Sequence, residues 1–161
     1  MAYTIRAATS DDVGAIAAVW HSGWHDGHAG HVPDELTAVR TPDAFPARVV
    51  ARLERTTVAV KDGQVAGFVT VTADEVEQVF VDGGHRGGGV ATLLLDEAER
   101  QVATAGHVEA FLVVAVGNAR ARRFYERQGW ADAGPVDYPA ETAGDSTMTV
   151  VVRRYVKRVH R

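Results

Sequence analysis

The chain has 161 residues, a formal net charge of −4 and 46% hydrophobic content, enough apolar material for one globular domain over 1–161 with a sizeable core. No apolar stretch is long enough to span a bilayer, and Met-Ala-Tyr-Thr-Ile-Arg lacks the positive start and apolar middle of a secretory signal, so the cytoplasm is the expected compartment. The absence of cysteine excludes disulfides and thiol nucleophiles, and the acidic balance argues against nucleic acid as the main partner.

A first strand is predicted over Thr4–Ala7. Thr9 followed by Asp12 forms a capping box, and Val13, Ile16, Ala17 and Trp20 mark the apolar face of a helix from about Asp11 to His21. The glycines at 23, 27 and 30, set among His21, Trp24, His25, His28 and His31, read as an irregular loop. A second helix near Pro42 carries Val49, Val50 and Leu53, with Pro46 pointing to a later start. Thr57–Val60 and Val65–Val71 form a hairpin around Lys61-Asp62-Gly63-Gln64. Glu75–Val81 is the next strand, Val90–Thr104 a helix, Phe111–Val116 a strand and Asn118–Gln128 a helix. Pro135–Asp145 reads as a loop before a β-branched last strand, Thr147–Tyr155. No repeat or linker divides the chain.

The most informative segment is His85-Arg86-Gly87-Gly88-Gly89-Val90-Ala91, between a strand and a helix. Glycines there let several backbone N–H groups converge at the positive end of the helix dipole, a place for a phosphate, although a glycine run can also simply turn the chain. Gly89 is followed by Val90 and Ala91 rather than the Lys and Ser/Thr of a P-loop, and Thr92 stands where a dinucleotide fingerprint needs its third glycine. What remains, Arg86-x-x-Gly89-x-Ala91, resembles the pyrophosphate motif of the GCN5-related N-acetyltransferases. Downstream, Asn118-x-x-Ala121-x-x-x-Tyr125, followed by Gly129 and Trp130, is similar to the same family's second motif, with Asn118 also a natural helix cap.

The resemblance covers most of the chain and is weakest over Trp24 to Leu53, where the family shapes its acceptor site. It implies an α/β (α+β) fold with a mixed, twisted, mostly antiparallel sheet and flanking helices, whose two central strands splay apart. Carried onto this chain those strands are Glu75–Val81 and Phe111–Val116. The implied ligand is acetyl-CoA, as acyl donor and without a metal. Its pantetheine arm would run along Val79, Phe80 and Val81, and its pyrophosphate would lie against Arg86, Gly87, Gly88, Gly89, Val90, Ala91 and Thr92. Asn118 and Tyr125 would complete the cofactor contacts. Of the arginines at 120, 122 and 123, at least two read as a solvated helix face.

The implied reaction is acetyl transfer to a primary amine. An alkyl amine with a pKa of roughly 10.4 is almost wholly protonated at neutral pH, a shortfall of about 4–5 kcal/mol that a general base can partly recover. Glu77 is the candidate base, directly or through water. The alternative makes it one of a surface trio with Asp74 and Glu75, and Glu75 is the fallback base because it shares Glu77's face unless a bulge intervenes. Tyr125 stands where the family holds the acid that protonates the leaving thiolate; its alternative is a core aromatic beside Phe124.

For the acceptor, Trp24, His25, His28 and Tyr138 are the candidate pocket residues, the alternative for the Trp and His cluster being an ordinary surface loop. A metal shared by His21 and His25, one helical step apart, lacks a supporting carboxylate or cysteine. Asp137, Glu141 and Asp145 would suit either a cationic acceptor or plain solvation. The favoured partner is a small-molecule amine: an amino acid, a polyamine or an amine-bearing antibiotic. A protein lysine or N-terminus as acceptor, and a non-catalytic acyl-CoA-binding module, are the alternatives. Family dimers suggest a homodimer, with the last strand available to pair between subunits.

Overall fold

The structure, a computed structural model, describes residues 2–142 and 146–160. Seven strands form one sheet: β1 (Thr4–Ala7), β2 (Thr56–Lys61), β3 (Gln64–Thr72), β4 (Glu75–Val81), β5 (Glu109–Ala115), β6 (Ala131–Glu141) and β7 (Thr147–Arg158), in spatial order β1-β2-β3-β4-β5-β7-β6. Every neighbouring pair is antiparallel except β4 with β5. This is the mixed, mostly antiparallel sheet that the resemblance implies.

Among the described residues, five α-helices cover the faces: α1 (Val13–His28), α2 (Asp34–Val39), α3 (Phe45–Arg52), α4 (Val90–Thr104) and α5 (Ala119–Arg127). Leu94, Leu95, Ala98 and Val102 of α4 pack on Val69, Val76, Leu112 and Tyr155, forming the core on one face. Ile16 and Trp20 of α1, with Phe45 and Val49 of α3, pack on Val58, Phe68 and Val152 on the other.

Three predicted boundaries are corrected. First, α1 runs on to His28, because Gly23 and Gly27 are not breakers here. A Cβ on Gly23 would lie 2.4 Å from the Phe80 ring, and one on Gly27 would lie 2.8 Å from Asn118 Nδ2. These two glycines, one helical step apart, let α1 lie close over β4 and the start of α5. Second, most of the loop predicted over Pro135–Asp145 is strand β6; Asp145 lies outside the described residues. Pro135 and Pro139 are tolerated because β6 is the edge of the sheet. Third, β7 lies inside the sheet, paired with β6 over Thr147–Val156 and with β5 over Val152–Arg158, so among the described residues just its first part, Thr147–Val151, lacks a β5 partner; the outer strands are β1 and β6.

Two departures from regular pairing build the site. The β4–β5 ladder has one registered pair, Glu75 with Phe111, backed by the Phe111 N–H donating to Asp74 O at 3.0 Å. Beyond it, among the described residues, the strands are not paired and the sheet opens. On the other edge of β4, Thr70 pairs with Gln78 but Val71 with Val76, so Glu77 is an extra, bulged residue. The bulge shifts the alternation: Val76, Val79 and Val81 all join the α4-side core, while Glu77 turns toward α3.

Candidate active site

The opening between β4 and β5 holds two cavities that meet. The outer one, about 510 Å³, is a groove lined by Val79, Phe80 and Val81 of β4, by the glycine loop, and by α5. The inner one, about 220 Å³, is walled by Trp24 and His28 of α1, by Arg40, Arg48 and Arg52, by Glu77, and by Tyr138 and Glu141 of β6. Val79, Phe80, Asn118, Ala121 and Tyr125 line both and so mark the junction.

The glycine loop is shaped by backbone that other residues avoid. Gly87 and Gly89 have φ of 84° and 81°, in the left-handed region, and Gly89 caps α4. The first helical bond of α4 is donated by Leu93 to Gly89 O, so the N–H groups of Val90, Ala91 and Thr92 lie ahead of it in the orphan first turn. All three line the outer groove with Arg86, Gly87 and Gly89. Gly88 does not; a Cβ there would meet the Tyr3 hydroxyl at 3.0 Å, so it is a close-packing position. The Arg86 side chain is engaged by Asp26 of α1 at 2.9 Å. Arg120 and Arg127 of α5 join the groove wall, whereas Arg122 is spent on Val116 O, the Tyr155 hydroxyl and Asp132.

Asn118 caps α5 by accepting from the Ala121 N–H at 3.2 Å. This fixes the helix that carries Tyr125 into the junction. Burial pushes the Tyr125 phenol up to about 12, so it stays protonated throughout the neutral range. Phe124 lies beside it with ring centres 5.4 Å apart.

Glu77 is held from two sides. Oε1 accepts from Arg52 Nε at 2.5 Å and Oε2 accepts from Thr72 Oγ1 at 2.8 Å. Glu75, the fallback base, accepts from the Tyr138 hydroxyl at 2.6 Å and is not part of the cavity wall. Burial, with Glu77 and Asp74 nearby, raises the Glu75 carboxyl, and burial together with the Glu75 hydrogen bond raises the Tyr138 phenol.

Of the predicted acceptor residues, Trp24, His28 and Tyr138 line the inner cavity and His25 does not. His25 Nε2 is 2.6 Å from the Arg40 carbonyl oxygen, which makes it a strut between α1 and the end of α2. His28 stacks on Trp24 with ring centres 4.8 Å apart and planes 6° from parallel. Its Nδ1 is 3.0 Å from Trp24 O, so that nitrogen carries the proton and Nε2 is left as an acceptor. Burial drives His28 down to about 4. Asp137 is exposed on the edge strand, and Glu141 is engaged by Arg48 and Arg52.

Sequence reasoning missed the three arginines of the inner cavity. Arg48 and Arg52 sit one turn apart on α3, and Arg40 ends α2. Nothing in their spacing separates them from ordinary surface arginines; only the packing of α2 and α3 against α1 turns them inward. Burial, with Arg40 alongside, pulls the Arg48 guanidinium down to about 10, still charged at neutral pH.

Residues 18–130 match the family model described as the acetyltransferase (GNAT) family. A curated relative, an IAA acetyltransferase of Azospirillum brasilense, is 33% identical over 84 residues, which are 48% of this chain; the match spans about half (55%) of that relative's length. Among solved structures, a GCN5-related N-acetyltransferase from Rhodopseudomonas palustris superposes with a TM-score of 0.75 at 19% identity, covering 99% of this chain and 97% of the other. The Salmonella typhimurium protein yncA, solved with its cofactor acetyl-CoA, gives a TM-score of 0.70 at 18% identity, covering 100% of this chain and 96% of the other. With the family model spanning more than two thirds of its length, from α1 to the end of the Asn118–Trp130 segment, the chain belongs to the GNAT acetyltransferase family.

Proposed function

We propose that the protein transfers the acetyl group of acetyl-CoA to the primary amine of a small molecule. The observation that carries this reading is the meeting of the two cavities at Tyr125. The outer groove suits a long donor whose phosphates lie on the first turn of α4, as the resemblance to an acetyl-CoA-bound fold also suggests. The unpaired edge of Val79–Val81 offers backbone groups to the pantetheine amides in the manner of an added strand. The inner cavity, about 220 Å³, suits an acceptor of amino-acid size better than a protein chain.

In the proposed reaction the neutral amine attacks the thioester carbonyl, so that a C–N bond forms and the C–S bond breaks. The amine's proton passes through water to Glu77, whose carboxylate retains acceptor capacity beside Arg52 and Thr72. The departing thiolate takes the Tyr125 proton. Trp24, His28 and Tyr138 border the acceptor, with His28 Nε2 free to accept from its ammonium or amine.

Calorimetric titration with acetyl-CoA, CoA and ATP, followed by thiol release with an amine panel, tests the reading. Selective binding of the two CoA species with amine-dependent thiol release supports it. Absence of CoA binding, or preference for ATP, overturns it. Binding without thiol release for any amine would favour the non-catalytic acyl-CoA-binding module.

A further inference from the structure

Among the described residues, the inner cavity has more positive charge than its own carboxylates can neutralise. Arg52 is fully engaged, by Glu77, by Glu141 and by the Arg48 carbonyl. Arg48 shares Glu141 through one terminal nitrogen at 3.3 Å, while its Nε and Nη1 are buried without a partner among the described residues. Arg40 is only 3% exposed, its Nε is buried without a partner, and no carboxylate pairs with it among the described residues. Glu77 and Glu141 are the carboxylates in the cavity wall against these three guanidiniums, and His28 beside them is held neutral.

The aromatic neighbours do not replace an anion. Arg40 lies 5.5 Å from the centre of the Trp24 ring and Arg48 4.4 Å from that of Trp20. Stacking of this kind covers the flat face of a guanidinium and leaves its in-plane N–H edge unsatisfied. An unpaired buried charge is costly to the fold, so its position in the wall of a ligand cavity points to a ligand that completes it. The phosphates of a bound donor would not reach it, because their loop belongs to the outer groove on the far side of the Tyr125 junction.

We infer that Arg40 and Arg48 form a carboxylate-binding subsite, and that the acceptor is a small amine carrying a carboxylate, of the amino-acid class. The planar fork of a guanidinium matches a carboxylate in two parallel hydrogen bonds. The subsite would anchor the acid end of the acceptor and present its amine toward Glu77 and Tyr125. This inference rests on the acetyl-transfer reading above and narrows its substrate.

The test compares amino acids with their carboxamides, measuring kcat/KM by thiol release. It also measures melting-temperature shifts by millimolar acid or amide with CoA present. Acids should be preferred by roughly 10- to 100-fold, the range of a charge-assisted hydrogen-bonded pair, and should raise the melting temperature where amides do not. Arg40→Met should erase the preference through KM and, by removing an unpaired buried charge, raise the melting temperature of the free protein. A merely structural Arg40 would lower it. Arg48→Gln is the second variant should the first fail to fold. Equal use of acids and amides, or a preference that survives both variants, overturns the subsite. If no amine releases thiol the acetyl-transfer reading falls instead, and the melting shifts still decide whether carboxylates bind at Arg40 and Arg48.

Discussion

Arg52 Nε donates to Glu77 Oε1 at 2.5 Å, tying the last turn of α3 to the bulge of β4. The bulge turns Glu77 toward α3 and the cavity, and Arg52 then fixes its carboxylate. Both groups are nearly buried, at 13% and 12% side-chain exposure, so this pair is not screened as a surface pair would be. Replacing Glu77 with Gln should lower kcat for amine acetylation about 100-fold while leaving acetyl-CoA affinity unchanged. If Glu77 only positions Arg52, the same variant would raise the acceptor KM with kcat preserved. Steady-state kinetics against both substrates separates the two.

Tyr125 gives a prediction in both rate and pH. Tyr125→Phe keeps the ring packing with Phe124 and Trp130 but removes the proton donor, so kcat should fall by about 100-fold with little change in acetyl-CoA binding. Because burial lifts its phenol to about 12, no alkaline loss of activity from this group should appear near pH 10, where an ordinary tyrosine titrates. A Tyr125→Phe enzyme with near-normal turnover would remove the residue from the mechanism.

What the sequence made legible was local. The glycine loop between β4 and α4, and the cap and periodicity of α5, lie in continuous segments whose pattern matches their structure. The far half of α1 was hidden because glycine at 23 and 27 reads as a breaker, whereas both are demanded by close approach to Phe80 and Asn118. β6 was hidden because Gly134, Pro135 and Pro139 interrupt its alternation, which an edge strand with a register shift between Asp132 and Gly134 permits. The arginine cluster was invisible for a different reason. Arg40, Arg48 and Arg52 meet only when α2 and α3 dock on α1, and no local pattern encodes that meeting.

The close approach of α1 predicts opposite outcomes for two glycines in one helix. Gly23→Ala places a Cβ 2.4 Å from the Phe80 ring, which lines both cavities, so it should cost about 1–3 kcal/mol and weaken acetyl-CoA binding. Gly14→Ala meets nothing within 4 Å among the described residues and should stabilise the protein by about 0.5–1 kcal/mol through helix propensity alone. Thermal melting of both variants, with CoA titration of the first, checks the pair. A Gly23→Ala protein as stable as the parent would mean that α1 can move off β4 without cost.

His28 predicts how stability responds to acid. Folding lowers its pKa from 6.5 to about 4, chiefly by burial, so between those values the unfolded chain binds a proton that the folded chain refuses. Stability from this group is therefore complete above pH 6.5 and is lost as pH falls toward 4, by up to about 3 kcal/mol. Urea unfolding at pH 7.5 and pH 5 should reveal the loss, and His28→Gln should remove that part of the slope. The Gln side chain can keep a donor for Trp24 O, so the comparison isolates titration from the hydrogen bond. An unchanged slope in the variant would mean that His28 binds its proton equally well in the folded and unfolded protein, so that at pH 5 its charge faces Arg40 and Arg48 across the same cavity.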